Sequence, residues 1–335
     1  MANKAAGTIV GMLLVHKLAS PYLSLGFFAL MAASAFAIAN GTIEATVAAV
    51  VPMGLLGINL LASLFTHPRF RADLPLLTFH LALLALLTLF LLARLTYFDG
   101  HVNLTRHVAF DGHLDKNERG PWHGTAIDHI RFANEGFTDH YPTYGQYRST
   151  TNIVRWQGEN GLWLSAEIGD DHPLIIHGYR IYTTRHRGFA LVFEWVPHSG
   201  KREFGVVQLD DINTNPEMPD NYWQLTEGSR IWAMLEATPP APAPGSRLTN
   251  LGADTLEHRV VLRTDEKRFL LQPGESIELP TGKLTYVRLD AWMGYLITKD
   301  WTHPWLIATV ALAIASLVWF YAVRLCQRLP GDDPA

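Results

Sequence analysis

Polar and apolar residues divide this chain into two kinds of segment. Leu74 to Tyr97 reads LPLLTFHLALLALLTLFLLARLTY, 24 residues in which His80 interrupts an otherwise apolar core. At about 1.5 Å per residue such a helix is roughly 36 Å long, enough to cross a bilayer with some tilt. Tyr22–Ala39, Ala45–Phe65 and Trp305–Leu325 are apolar runs of comparable length. The pattern predicts spans over about 18–39, 44–65, 74–97 and 305–325. Before the first span, Gly7 to Val15 is apolar but too short to cross, and is expected to lie in the interface.

Between the third and fourth runs the period changes. FALVFEWV (189–196), FGVVQLD (204–210), HRVVLR (258–263), ESIEL (275–279) and LTYVRL (284–289) are short β-branched and aromatic runs bounded by turn residues. PGE at 273–275 and PTGK at 280–283 supply turns, and PPAPAPG at 239–245 reads as an exposed connection. The predicted architecture is a membrane protein of four transmembrane α-helices, three N-terminal and one C-terminal. A large extracytoplasmic all-β domain, residues 98–304, is inserted between the third and fourth helices, as an antiparallel sandwich.

Basic residues set the expected orientation. Lys4 and Lys17 precede the first span, Arg69 and Arg71 lie between the second and third, and Arg324 and Arg328 close the fourth. The loop NGTIE between the first two spans has no Lys or Arg. The positive-inside rule then puts residues 1–17 and 326–335 in the cytoplasm and 98–304 outside. Arg94 opposes this mildly, but near its helix end it can snorkel. Ala35-Phe36-Ala37 resembles a signal-peptide cleavage site, yet the apolar stretch is long and charge extends to Lys17, so a retained span is expected. Ala33-x-x-x-Ala37 and Ala311-x-x-x-Ala315 have the small-residue spacing of close helix contacts, a spacing that Ala-rich composition produces equally well.

Composition agrees with this division. Hydrophobic residues are 48% of the chain and charged ones 17%, against about 25% in soluble domains. Mean hydropathy is only +0.08, so the apolar residues must be concentrated in a part of the chain. The net charge is −4 with no basic tract, which excludes nucleic acid as a partner. Cys326 is the one cysteine, so the chain has no C-x-x-C and neither runs dithiol chemistry nor attaches haem to itself through thioethers.

Candidate chemistry centres on His80. An ionisable side chain in a membrane span is costly and marks a functional site with a partner. Imidazole is a good axial ligand for haem iron, and apolar helices suit the porphyrin faces. The alternative is a neutral histidine bonded to a neighbouring helix. The other spans hold no histidine, and His16 and His67 are the remaining candidates near the inner face, so a bis-histidine haem would need a ligand from a second chain. Asn59, the other polar residue placed deep in a span, could cap a neighbouring helix or sit behind a haem ligand and orient it. The histidines from His101 to His303 lack zinc-site spacing, and no Ser-His-Asp set, carboxylate pair or phosphate loop can be picked out. No self-sufficient catalytic site is expected.

These residues resemble a known family. INLLASLFTHPRFRADLPLLTFH (58–80) looks like the second span, basic loop and third span of ResB (CcsB), the membrane component of system II cytochrome c maturation. EIGDDHPLIIHGYRIYTT (167–184) and MGYLITKD (293–300) before an apolar helix are similar to two further stretches of that family. The resemblance implies a subunit of a holocytochrome c synthase in the bacterial inner membrane, non-catalytic or co-catalytic. It would carry haem b outward with a CcsA (ResC) partner and present it to apocytochrome c. It implies His80 as the transmembrane haem ligand and Asp300 as a candidate functional acidic residue. The partner's Trp-rich run is absent here, so a separate CcsA-like chain is implied. Three departures stand out. The chain is compact, Arg106-His107 replaces a Gly-Glu, and His172 replaces the Asn before Pro-Leu. They leave room for an accessory subunit of a respiratory complex that keeps the fold without haem, or for a b-type electron carrier.

Overall fold

The computed structural model describes residues 13–142, 149–158, 160–169, 171–209, 222–225, 230–238, 248–264 and 267–328. The 239–245 connection and most of the Gly7–Val15 run lie outside the described residues. The chain divides into a helical unit, residues 1–98, 119–124 and 300–335, and a β unit, residues 99–118 and 125–299.

The helical unit holds α1 (Pro21–Ala39), α2 (Ala45–Thr66), α3 (Pro68–Ala72), α4 (Leu74–Thr96) and α5 (His303–Arg328). Four of these, α1, α2, α4 and α5, are long and apolar enough to cross a membrane. Their starts are written locally. The Glu44 carboxylate accepts from Thr46 N at 2.8 Å and Val47 N at 2.9 Å, and these bonds, the Thr46 ones first, hold its pKa below the usual value. Asp73 caps α4 by accepting from Leu76 N at 3.3 Å. The loop between α2 and α4, which carries no predicted element, contains the single turn α3. The helix α5 begins two residues before the predicted 305, at His303.

Helix α1 packs on α2, α2 on α4, and α4 on α5. The small residues that α5 buries are Ala313 (7% exposed) and Ser316 (3%), while Ala311 and Ala315 are exposed. The Ala311/Ala315 spacing is therefore not the packing face of this unit. An Ala-rich helix offers several narrow faces, and the contact with α4 selects one.

The segment 119–124 closes the far end of α4, where the last carbonyls lack helical donors. Gly120 N donates to Tyr97 O at 3.0 Å and Trp122 N to Leu95 O at 2.8 Å, while His123 Nδ1 donates to Thr96 O at 3.0 Å. A Cβ on Gly120 would stand 2.2 Å from Leu95 O, so only glycine fits.

Among the described residues the β unit has one 3-10 turn, Ala126–His129, and otherwise strands. In chain order these are β1 (Phe98–Thr105), β2 (Lys116–Arg119), β3 (Phe132–Pro142), β4 (Ser149–Gln157), β5 (Trp163–Ile168), β6 (Leu174–Ile176), β7 (Tyr179–Pro197), β8 (Glu203–Leu209), β9 (Tyr222–Gln224), β10 (Arg230–Thr238), β11 (Leu248–Leu251), β12 (Glu257–Arg263), β13 (Arg268–Leu271), β14 (Ser276–Leu279) and β15 (Gly282–Lys299). Among the described residues they form three sheets, where the sequence predicts an antiparallel sandwich. One runs β2-β1-β15-β7-β6, with β14 also on β15 and β8 also on β7; the others run β13-β12-β10-β9 and β11-β3-β4-β5.

The long β7–β15 ladder explains the third sheet. Its register shifts between Tyr286 and Arg288 and again between Met293 and Tyr295, so the pair can bend along its length. Tyr295 O–H donates to Asn152 Oδ1 on β4 at 2.8 Å, and its ring meets Phe132 of β3 edge-on at 5.2 Å. Further along the same strand, Tyr286 lies 2.8 Å from His258 Nε2 on β12. One strand thus supplies core to both smaller sheets.

Candidate functional site

His80 lies six residues into α4, about 9 Å from its start at 1.5 Å per residue. Its Nδ1 is 2.7 Å from Leu76 O, one turn back. A carbonyl only accepts, so Nδ1 carries a proton, and in the neutral ring Nε2 is then the nitrogen with the lone pair. This is the tautomer that binds a metal through Nε2. Nε2 has no hydrogen-bond partner among the described residues. The imidazole is half-buried, and the Phe70 ring of α3 lies against it with centroids 4.5 Å apart and planes at 55°. Phe79 meets it edge-on at 5.4 Å, and His67 is 6.1 Å from Phe70. His80 is therefore an imidazole set among aromatic rings, with one nitrogen satisfied by its own helix and the other available to a ligand. Those features fit a haem iron.

Phe70 was not legible as part of the site, because it belongs to the loop and reaches His80 only through the turn α3. Pro68 at the first turn of α3 is the one local signal that this loop is structured.

Asn59 is buried, at 3% exposed, and its bonds run to the start of α1. Ser24 Oγ donates to Asn59 Oδ1 at 2.6 Å; Asn59 Nδ2 donates to Leu18 O and, at 3.1 Å, to Ser20 O. Ser63, one turn along, donates to Ala19 O at 3.3 Å. None of these bonds reaches His80. Asp300 lies at the entry to α5, where its Oδ1 accepts from Thr302 N at 2.8 Å and Thr302 Oγ1 at 2.6 Å. The structure does not bring it to His80: the Asp73 end of α4 meets Arg324 near the end of α5 at 3.5 Å, while Thr96 at the other end accepts from Trp301 Nε1 at 2.9 Å.

In the β unit several histidines are occupied locally. His107 Nδ1 is 3.2 Å from Glu135 Oε2, and His101 Nε2 is 3.3 Å from Asp99 Oδ1. Arg106, beside His107, holds both oxygens of Asp254 at 2.7 Å, and that bond raises its pKa. No group of His, Cys, Asp and Glu among the described residues is arranged to hold a metal ion. His177 and Gly178, with φ 49° and 80°, form the two-residue turn from β6 to β7, as a tight hairpin requires.

Long apolar helices that flank an antiparallel β insertion along the chain, with one histidine within the third of them, define a class of multi-pass membrane protein. The sequence profile of the ResB-like family matches residues 73–274, well over half the chain, and the protein belongs to that family. The match takes in His80 and the 167–184 stretch and ends ahead of Asp300. No curated protein matches the chain. The family places the protein in cytochrome c biogenesis, among membrane-bound components of that process.

Proposed function

We propose that this chain is the ResB (CcsB) subunit of a system II cytochrome c maturation complex in the bacterial inner membrane. It binds haem in transit through His80 Nε2, and a CcsA-like partner supplies the second axial ligand and joins the haem to apocytochrome c. The observation that carries this reading is the His80–Leu76 hydrogen bond, which fixes the tautomer that a metal needs and leaves Nε2 open. Family membership supports the pathway. In this orientation the Asp73–Arg324 end of the helices faces the cytoplasm and the β unit lies outside. The residues around His80 bind and orient: Leu76 O holds the ring, and the Phe70 and Phe79 rings pack against it.

The test is an absorption spectrum of the chain purified with its partner. The complex should show low-spin haem with two imidazole ligands, and the chain alone should hold haem weakly. His80→Ala should abolish that spectrum and cytochrome c maturation, and added imidazole should restore part of both. Normal maturation in His80→Ala, with the protein present in the membrane, would refute the haem role and favour a scaffold that keeps the fold without haem.

A further inference from the structure

The second register shift of the β7–β15 ladder has an unusual form. Arg187 stands opposite Met293 and Thr183 opposite Tyr295, so Thr184, Arg185 and His186 share the single residue Gly294 as their counterpart. A bulge re-aims the side chains it carries, and bulges gather beside functional sites. This one is fastened internally. His186 N donates to Thr184 Oγ1 at 3.1 Å, and that hydroxyl donates to Gly294 O at 3.1 Å. A Cβ on Gly294 would stand 2.6 Å from Thr184 Oγ1 and 2.8 Å from His186 O, so only glycine fits there.

The bulge presents an arginine and a histidine. Both residues are exposed, and neither the Arg185 guanidinium nor either ring nitrogen of His186 bonds to any described residue. They line a pocket of about 550 Å³ together with His101 and Asn103 of β1, a volume within the range of small-ligand sites. The His186 ring is seated edge-on against Trp292, with centroids 5.0 Å apart. The remaining ionisable side chains of the lining are engaged: Tyr295 with Asn152, Asp115 with Asn103 N at 2.8 Å, and His101 Nε2 with Asp99 Oδ1 at 3.3 Å. An open imidazole beside an unpaired guanidinium suits a ligand that carries both a metal and a carboxylate. A metal that arrives already chelated needs one axial ligand from the protein, not a cluster of them.

We propose that the bulge pocket is a second haem station, carried by the β unit. His186 takes one axial position of the iron, and Arg185 pairs with a propionate. The choice of haem rests on the maturation reading above, while the site rests on the bulge and its two open side chains. With a single imidazole from the protein, haem held here is high-spin, unlike the bis-imidazole haem at His80.

The test titrates the full-length His80→Ala chain in nanodiscs with porphyrins, subtracting what protein-free nanodiscs take up. Ferric haem should give a high-spin spectrum with one imidazole ligand. His186→Gln should abolish that spectrum, and Arg185→Gln should weaken binding about tenfold, the scale of one hydrogen bond to a charged group. Iron octaethylporphyrin, which has no carboxylates, should respond to His186→Gln and not to Arg185→Gln. Metal-free protoporphyrin should show the reverse. His198→Gln, which removes an exposed histidine outside the pocket, should change nothing. An unchanged spectrum in His186→Gln, or an equal loss in His198→Gln, would mean adventitious surface ligation and overturn the station. Low-spin haem that depends on His80, with no haem that depends on His186, overturns the station alone. Haem that depends on His186, in a chain whose His80 binds none, overturns only the reading of His80.

Discussion

Asp73 and Arg324 stand 3.5 Å apart, one at the start of α4 and the other near the end of α5. The Arg324 guanidinium also lies over the Phe320 ring at 4.3 Å. At the other end of the same pair, Trp301 donates to Thr96. The two helices are therefore tied antiparallel at both ends, and Arg69 and Arg71 in α3 belong to the Arg324 end. Reporter fusions after residue 70 and at the C-terminus should read the same compartment, the cytoplasm. A fusion near residue 245 should read the opposite one. Opposite readings for the first two would contradict the antiparallel pair.

Asn59 makes a second prediction. Its amide meets Leu18 O, Ser20 O and Ser24 Oγ, and in a span these groups have no water to replace it. Asn59→Leu should destabilise the helical unit by about 0.6–2 kcal/mol, the range of hydrogen bonds between membrane helices. Thermal unfolding in detergent measures this. Because no Asn59 bond reaches His80, the haem spectrum of the surviving complex should keep its wild-type shape. A spectrum altered at wild-type stability would instead make Asn59 part of the haem site.

The spans were legible in the sequence because a membrane helix must satisfy its own backbone and stay apolar throughout, which leaves long runs with capped starts such as Glu44 and Asp73. His80 stood out against such a run. What stayed hidden was tertiary. Asn59 reads as one polar residue in a helix, and its partners are 35 to 41 residues away. Strand β15 was visible only over 284–289, because residues 289–295 are buried on both faces and so lose the alternation that marks a half-buried strand. Its continuation to Lys299 follows from pairing with β7. The third sheet was hidden for the same reason, since nothing local says that one strand serves two cores.

Asp300 can act through its charge or through its cap on Thr302, and two substitutions separate these. Asparagine keeps an oxygen that can accept from Thr302 N and Oγ1; alanine does not. We expect Asp300→Asn to retain complex assembly and maturation, and Asp300→Ala to cost about 1 kcal/mol at the entry to α5. Thermal unfolding and cytochrome c yield measure the two. A loss of maturation in Asp300→Asn at normal assembly would show that the negative charge itself is used.

The last prediction concerns alkaline pH. Tyr179, Tyr286 and Tyr295 are fully buried in the β unit. Burial raises the pKa of each, to about 12 for Tyr179, and Asp128 adds to the effect there. His258 fixes how Tyr286 is held: its Nδ1 donates to Leu256 O at 2.7 Å, so its Nε2 must accept from the Tyr286 hydroxyl. A phenol whose folded pKa exceeds its unfolded value of about 10 contributes full stability below that pH. Above it the unfolded chain releases protons that the folded chain keeps. Stability therefore falls as pH rises from about 10 toward 12, at about 1.4 kcal/mol per pH unit for each such tyrosine. Phenolate absorbance should rise first for the exposed tyrosines, then cooperatively with loss of the β-sheet circular dichroism. Tyr295→Phe should lower stability at neutral pH, where Asn152 loses its donor, and make the alkaline decline shallower. Titration of all 11 tyrosines near pH 10 with the circular dichroism unchanged would show that the three are not protected by burial.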